Sequence, residues 1–154
     1  MFQDKGENME KDLALQKFNA GYNCAQSVLF QCSKSIGMDS NTAVKIATGF
    51  GSGMGRMQEV CGAVTGGILA INYKFGRNEN QEKAVQERAY GLIRQLMTEF
   101  RKENGSCICR ELLKTDLNTE EGRKKMKEGK LNAICQKCVC SAGRIMEKIL
   151  SENS

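Results

Sequence analysis

Cysteine is the residue type in excess. Eight occur in 154 residues (Cys24, Cys32, Cys61, Cys107, Cys109, Cys135, Cys138 and Cys140), and there is no histidine. Thiolates are soft ligands and good nucleophiles. This set can therefore hold a soft metal, ligate an iron–sulfur cluster, or cycle between dithiol and disulfide. The missing histidine removes Ser-His-Asp and Cys-His pairs, a haem axial His and any His-bearing zinc site. No carboxylate pair stands out for acid–base work, and Glu111, Asp116, Glu120 and Glu121 read as surface charge. The opening MFQDKGENMEKD has no apolar signal-peptide core, so the chain reads as cytoplasmic. In that setting the cysteines point to metal binding or redox work rather than to a disulfide framework.

Local spacing leaves the choice open. Cys135-x-x-Cys138 is the only CxxC, whereas a four-cysteine zinc site normally shows two such pairs. The bacterial ferredoxin run is absent. Cys107/Cys109 and Cys138/Cys140 are CxC pairs that could help hold a soft metal. Cys61 follows the glycine-rich run Gly49-Phe-Gly-Ser-Gly-Met-Gly55 and falls near the start of an expected helix. Exposed N–H groups and the positive dipole end favour a thiolate there. The alternative for Cys61 is a small buried residue in a tight helix crossing. The glycine run has no preceding strand and no Gly-Lys-Ser/Thr ending, so it fits neither nucleotide-binding loop.

The elements that must position these thiols read as all-α, a single compact domain over 1–154 with flexible ends at about 1–9 and 152–154. There is no proline to force a helix break. Five to six helices are expected. The first spans about Met9 to Ile36, with a weak point at Gly21. A second starts after Asp39 or Ser40 and includes Ala43, Val44, Ile46 and Ala47. Residues 58–75 form a buried helix of small residues. Gly62 and Gly66 share one face of it and allow a close helix crossing. Asn78 to Lys102 is amphipathic, with Val85, Ala89, Leu92, Leu96 and Phe100 as its stripe. Residues 107–117 make a short helix or turn, and Leu131 to Glu152 form the last helix. The longest central apolar run is too short for the ~20 residues that span a bilayer.

The order of motifs is more specific than any one spacing. CGAVTG (Cys61–Gly66) lies between GYNCAQSVL (Gly21–Leu29) and CRELL (Cys109–Leu113), and CQKCVCSAGRIMEKIL (Cys135–Leu150) follows. This order resembles a redox-active protein family named for four cysteines and a CGAxxG motif, over roughly Leu13 to Leu150. The resemblance implies an all-helical fold and places the four cysteines on Cys24, Cys61, Cys109 and Cys135. Cys32, Cys107, Cys138 and Cys140 are then additions. A related helical domain occurs in split-Soret-type cytochromes, which carry an iron–sulfur centre. Without histidine or C-x-x-C-H, only the non-haem part of that likeness applies here.

The expected function is therefore electron transfer or redox sensing through an iron–sulfur cluster on Cys24, Cys61, Cys109 and Cys135. Gly51, Gly53 and Gly55 are expected to supply N–H donors to its sulfurs. The alternatives are a metal-free dithiol/disulfide protein and a zinc or other soft-metal protein. The net charge is +5. The run GRKKMKEGK (Gly122–Lys130) reads as a solvated helix or loop rather than a nucleic-acid patch, because acids interrupt and precede it and no aromatic set accompanies it. A redox partner protein fits the reading. Gly62, Gly66 and Gly67 suit an intrachain crossing and a homo-oligomer contact equally well.

Overall fold

The computed structural model describes residues 12–153. Eight α-helices occur among them: α1 Leu13–Asn19, α2 Cys24–Ile36, α3 Ser40–Ala47, α4 Gly62–Phe75, α5 Lys83–Asn104, α6 Cys109–Leu113, α7 Glu120–Lys127 and α8 Asn132–Glu152. The all-α expectation holds, with more helices than the five to six expected. Of the flexible ends expected at 1–9 and 152–154, residues 1–9 and Ser154 lie outside the described residues, and Glu152 is the last residue of α8.

The expected first helix is two helices, with the break at Gly21 and Tyr22. Asn23 restarts the chain as the N-cap of α2. Its side chain accepts from the Gln26 amide while the Gln26 side chain accepts from the Asn23 amide. This reciprocal pair satisfies two otherwise orphaned donors. The expected helix over 58–75 begins only at Gly62, because residues 58–61 are drawn into a pairing with a distant segment. The amphipathic helix starts at Lys83 rather than Asn78. The charged run after Leu117 holds an additional helix, α7, capped by the Thr119 hydroxyl on the Gly122 amide.

α2 and α4 cross at the centre of the molecule, and α5 and α8 complete the layer around α4. The crossing is set by glycine. A Cβ on Gly66 would sit 2.6 Å from the Ala25 carbonyl oxygen, and one on Gly62 would sit 2.8 Å from that of Phe50. Both positions therefore serve the intrachain crossing. Gly67 opens the other way, toward Leu96 and Met146. Leu29, Val64, Ile71, Leu96, Phe100 and Met146 are fully buried around this junction. A small satellite core of Cys109, Leu113, Leu117 and Leu131 lies beside it, beneath α6 and the start of α8. None of the described helices is long and apolar enough to cross a membrane.

Candidate redox centre

Five cysteines from four separate segments line one cavity of about 210 Å³: Cys24, Cys61, Cys109, Cys135 and Cys138. Each arrives by a different local device. Cys24 is the first residue of α2, directly after the Asn23 cap. That cap is held in place by Asn23 Nδ2 donating to the Thr48 carbonyl and Gln26 Nε2 donating to that of Val44. Cys61 is the N-cap residue of α4. Cys109 opens α6. Cys135 and Cys138 are three apart on α8 and therefore share a face.

Cys61 and Cys109 are brought together by a minimal antiparallel pairing centred on Val60 and Ile108. The Cys61 amide donates to the Cys107 carbonyl at 2.7 Å, and the Cys109 amide donates to that of Glu59 at 2.6 Å. Arg110 reinforces the clip, donating to the Met57 and Gln58 carbonyls and pairing with the Glu59 carboxylate. Gln58 is buried, at 3% exposure. Its side chain donates to the Thr115 carbonyl at 2.6 Å and accepts from the Leu117 amide at 2.8 Å. Nothing in local sequence marks Gln58 as the residue joining these two loops. Its partners lie nearly sixty positions away.

The glycine run is more unusual than a loop. Ser52, Gly53, Met54, Gly55 and Arg56 all have positive φ, forming a left-handed turn. L-residues in this region cost roughly 1–2 kcal/mol each. Such backbone persists only where its surroundings over-determine it. Here the Gln58 amide donates to the Ser52 carbonyl and the Glu59 amide to that of Gly53. Gly53 lines the thiol cavity, and a Cβ there would strike the Gln58 backbone at 2.5 Å. Gly51 does not line the cavity; it is buried against the Asn23 side chain. The Gly55 amide is taken by the Gly49 carbonyl, and Gly55 lines a neighbouring cleft. Of the three glycines expected to supply backbone donors, Gly53 alone lines the thiol cavity.

The sulfurs are not equivalent. The Cys138 thiol donates to Cys61, which holds the Cys61 thiol below its ordinary value despite burial. The Ala63 and Val64 amides at the start of α4 favour the same thiolate, though neither closes a full capping hydrogen bond. The Cys24 thiol donates to Cys135, which lowers Cys135 and raises Cys24. Cys138 is raised in turn, first by its bond to Cys61 and then by burial. Burial pushes Cys109 up to about 12, with the charges of Cys61 and Cys135 adding to it. So many sulfurs do not ionise together unaided. A bound cation would reverse that, since a metal centre holds its thiols deprotonated.

The four cysteines expected as ligands thus meet at one cavity, and Cys138 joins them as a fifth. The CxxC spacing on a helix was the signal for it. The other three lie elsewhere. The Cys107 sulfur bonds the Met97 carbonyl on α5. Cys32 is buried between α2 and α8, and Cys140 approaches Asp12. Among the described residues, no group of three or more Cys, Asp or Glu side chains is arrayed to hold a single metal ion. A tetrahedral zinc would need four sulfurs at ~2.3 Å from one point. A polynuclear cluster instead spreads its ligands around a volume.

Comparison with curated proteins and with solved structures gave no match. The family model described as "Putative redox-active protein (C_GCAxxG_C_C)" matches residues 22–149, a stretch that contains all five cavity cysteines. At the named motif this chain reads Cys61-Gly62-Ala63-Val64-Thr65-Gly66. With most of its length matched and its thiols gathered at one cavity, the chain belongs to this family of redox-active proteins.

Proposed function

We propose that this protein transfers or senses electrons through an iron–sulfur cluster held by Cys24, Cys61, Cys109 and Cys135. The observation that carries the reading is the convergence of thiols from α2, α4, α6 and α8 on one cavity. The cluster, when bound, would supply a redox centre that takes up and releases single electrons. The chain's own part is to hold four thiolates apart around that volume, to keep water out with Phe18, Leu112, Leu113 and Ile134, and to aim donors at the sulfurs. The Cys138 S–H on Cys61 and the backbone beside Gly53 are those donors. Hydrogen bonds to cluster or ligand sulfur raise a reduction potential.

A second reading has its own observation. Cys24/Cys135 and Cys61/Cys138 sit close enough in the shared cavity for each thiol to shift its partner's ionisation. In a metal-free protein, each pair can release two electrons and two protons to an acceptor and close a disulfide. Single Cys→Ser variants at 24, 61, 109 and 135 separate the readings. The cluster reading expects each to lose most of its iron and acid-labile sulfide after anaerobic purification. Variants that keep iron and sulfide at the parent level would contradict the ligand set.

A further inference from the structure

Beside the thiol cavity lies a wider cleft of about 710 Å³. Arg56 of the left-handed turn and Arg123 and Lys127 of α7 line it, with Ser52 and Asn118 and no Asp or Glu. α7 divides its basic residues between two faces. Lys124 and Lys125 are paired with Glu128 and Glu121. Arg123 and Lys127, four apart and so on one face, turn to the cleft. Among the described residues, neither they nor Arg56 enters an ion pair. The Asn118 amide group donates to the Arg56 carbonyl at 3.1 Å, and one Arg123 nitrogen donates to the Asn118 carbonyl at 3.3 Å. The two guanidinium-bearing segments are thus tied to one residue, and most guanidinium donors stay open. Three like charges on one concave wall repel one another, and an anion between them relieves that repulsion.

We propose that this cleft binds a small dianion, with phosphate or dicarboxylate oxygens as the recognised chemistry. Planar guanidinium forks grip paired oxyanions in a bidentate way, and Lys127 adds a point charge. Ser52 and Met126 line both the cleft and the thiol cavity. An anion held by Arg56, Arg123 and Lys127 therefore sits at the entrance to the sulfurs. This site stands on its own residues and does not depend on whether the thiols hold a cluster.

The test is calorimetric titration of the purified protein at low ionic strength, with inorganic phosphate and succinate as the two probes and iron content measured on the same samples. At least one probe is expected to saturate at one site per chain. The Arg123→Gln/Lys127→Gln double variant is expected to weaken it by about tenfold or more, the scale of a lost charge-assisted contact. Arg56→Gln should weaken it in the same direction, and Lys124→Gln should leave it unchanged. Phosphate binding alone assigns a phosphate-bearing ligand, and succinate binding alone a dicarboxylate. Absence of saturable binding by both probes would overturn the proposal. So would a loss in Lys124→Gln as large as in the double variant, since that would mark diffuse surface charge.

Discussion

Cys61 and Cys138 show how neighbouring thiols in one cavity set each other's ionisation at the residue scale. Cys61 opens a helix, yet the largest influence on its thiol is the S–H of Cys138. If Cys138 is a donor to a ligand rather than a ligand, Cys138→Ala keeps its iron and lowers the midpoint potential, as read by direct electrochemistry. Loss of iron in that variant would instead make Cys138 a ligand. Cys32 serves as a control remote from the cavity. Burial first, and then the charge of Glu147, push its thiol from 9.0 up to about 12. Between those values the unfolded chain sheds a proton that the native state keeps. The native state is therefore destabilised as pH rises above 9, and the contribution is fully present below it. Urea unfolding between pH 9 and 11 should fall less steeply for Cys32→Ala, by up to about 1.4 kcal/mol per pH unit.

At the scale of elements, the α2–α4 crossing and the clip between Val60 and Ile108 bring the thiols together. The crossing discriminates between two neighbouring glycines. A methyl on Gly66 meets the Ala25 backbone, which cannot yield, whereas one on Gly67 meets the movable tips of Leu96 and Met146. Gly66→Ala is therefore expected to cost about 1–3 kcal/mol in urea unfolding, and Gly67→Ala less. Equal losses would mean the crossing adjusts freely. Much of this scale was legible in the sequence. The Gly62/Gly66 spacing announced a close crossing, and the Leu92, Leu96, Phe100 stripe announced α5. The left-handed turn was not legible, because alternating glycines read only as flexible loop. Its geometry is imposed by hydrogen bonds from Gln58 and Glu59. α7 was hidden in a charged run, since its single apolar position, Met126, gives no stripe. The four cysteines proposed as ligands could be named only from the order of motifs, because the spacings along the chain do not say which sulfurs meet in space.

At the scale of the whole molecule, the cavity ties together segments that otherwise share few large apolar groups. Among the described residues, the satellite core around Cys109 buries Leu113, Leu117 and Leu131 besides the cysteine, and Ile134 and Cys135 are the side chains that pack against both it and the main core. A guest bonded to Cys24, Cys61, Cys109 and Cys135 would add a second tie between that core and the main one. Because a ligand that binds only the native state stabilises it, removing iron with an anaerobic chelator should lower the unfolding temperature. A chain of this size shifts about 2–4 °C per kcal/mol, so a drop of several degrees or more is expected by scanning calorimetry. An unchanged transition would mean the cavity carries no structural guest.

The most direct measurement is an absorption spectrum of anaerobically purified protein, with iron and acid-labile sulfide determined on the same sample. A bound cluster gives visible sulfur-to-iron charge-transfer bands and matched iron and sulfide, and this is the expected result. A colourless protein without iron would contradict it, and titratable thiols with no metal would then assign the cavity to dithiol chemistry.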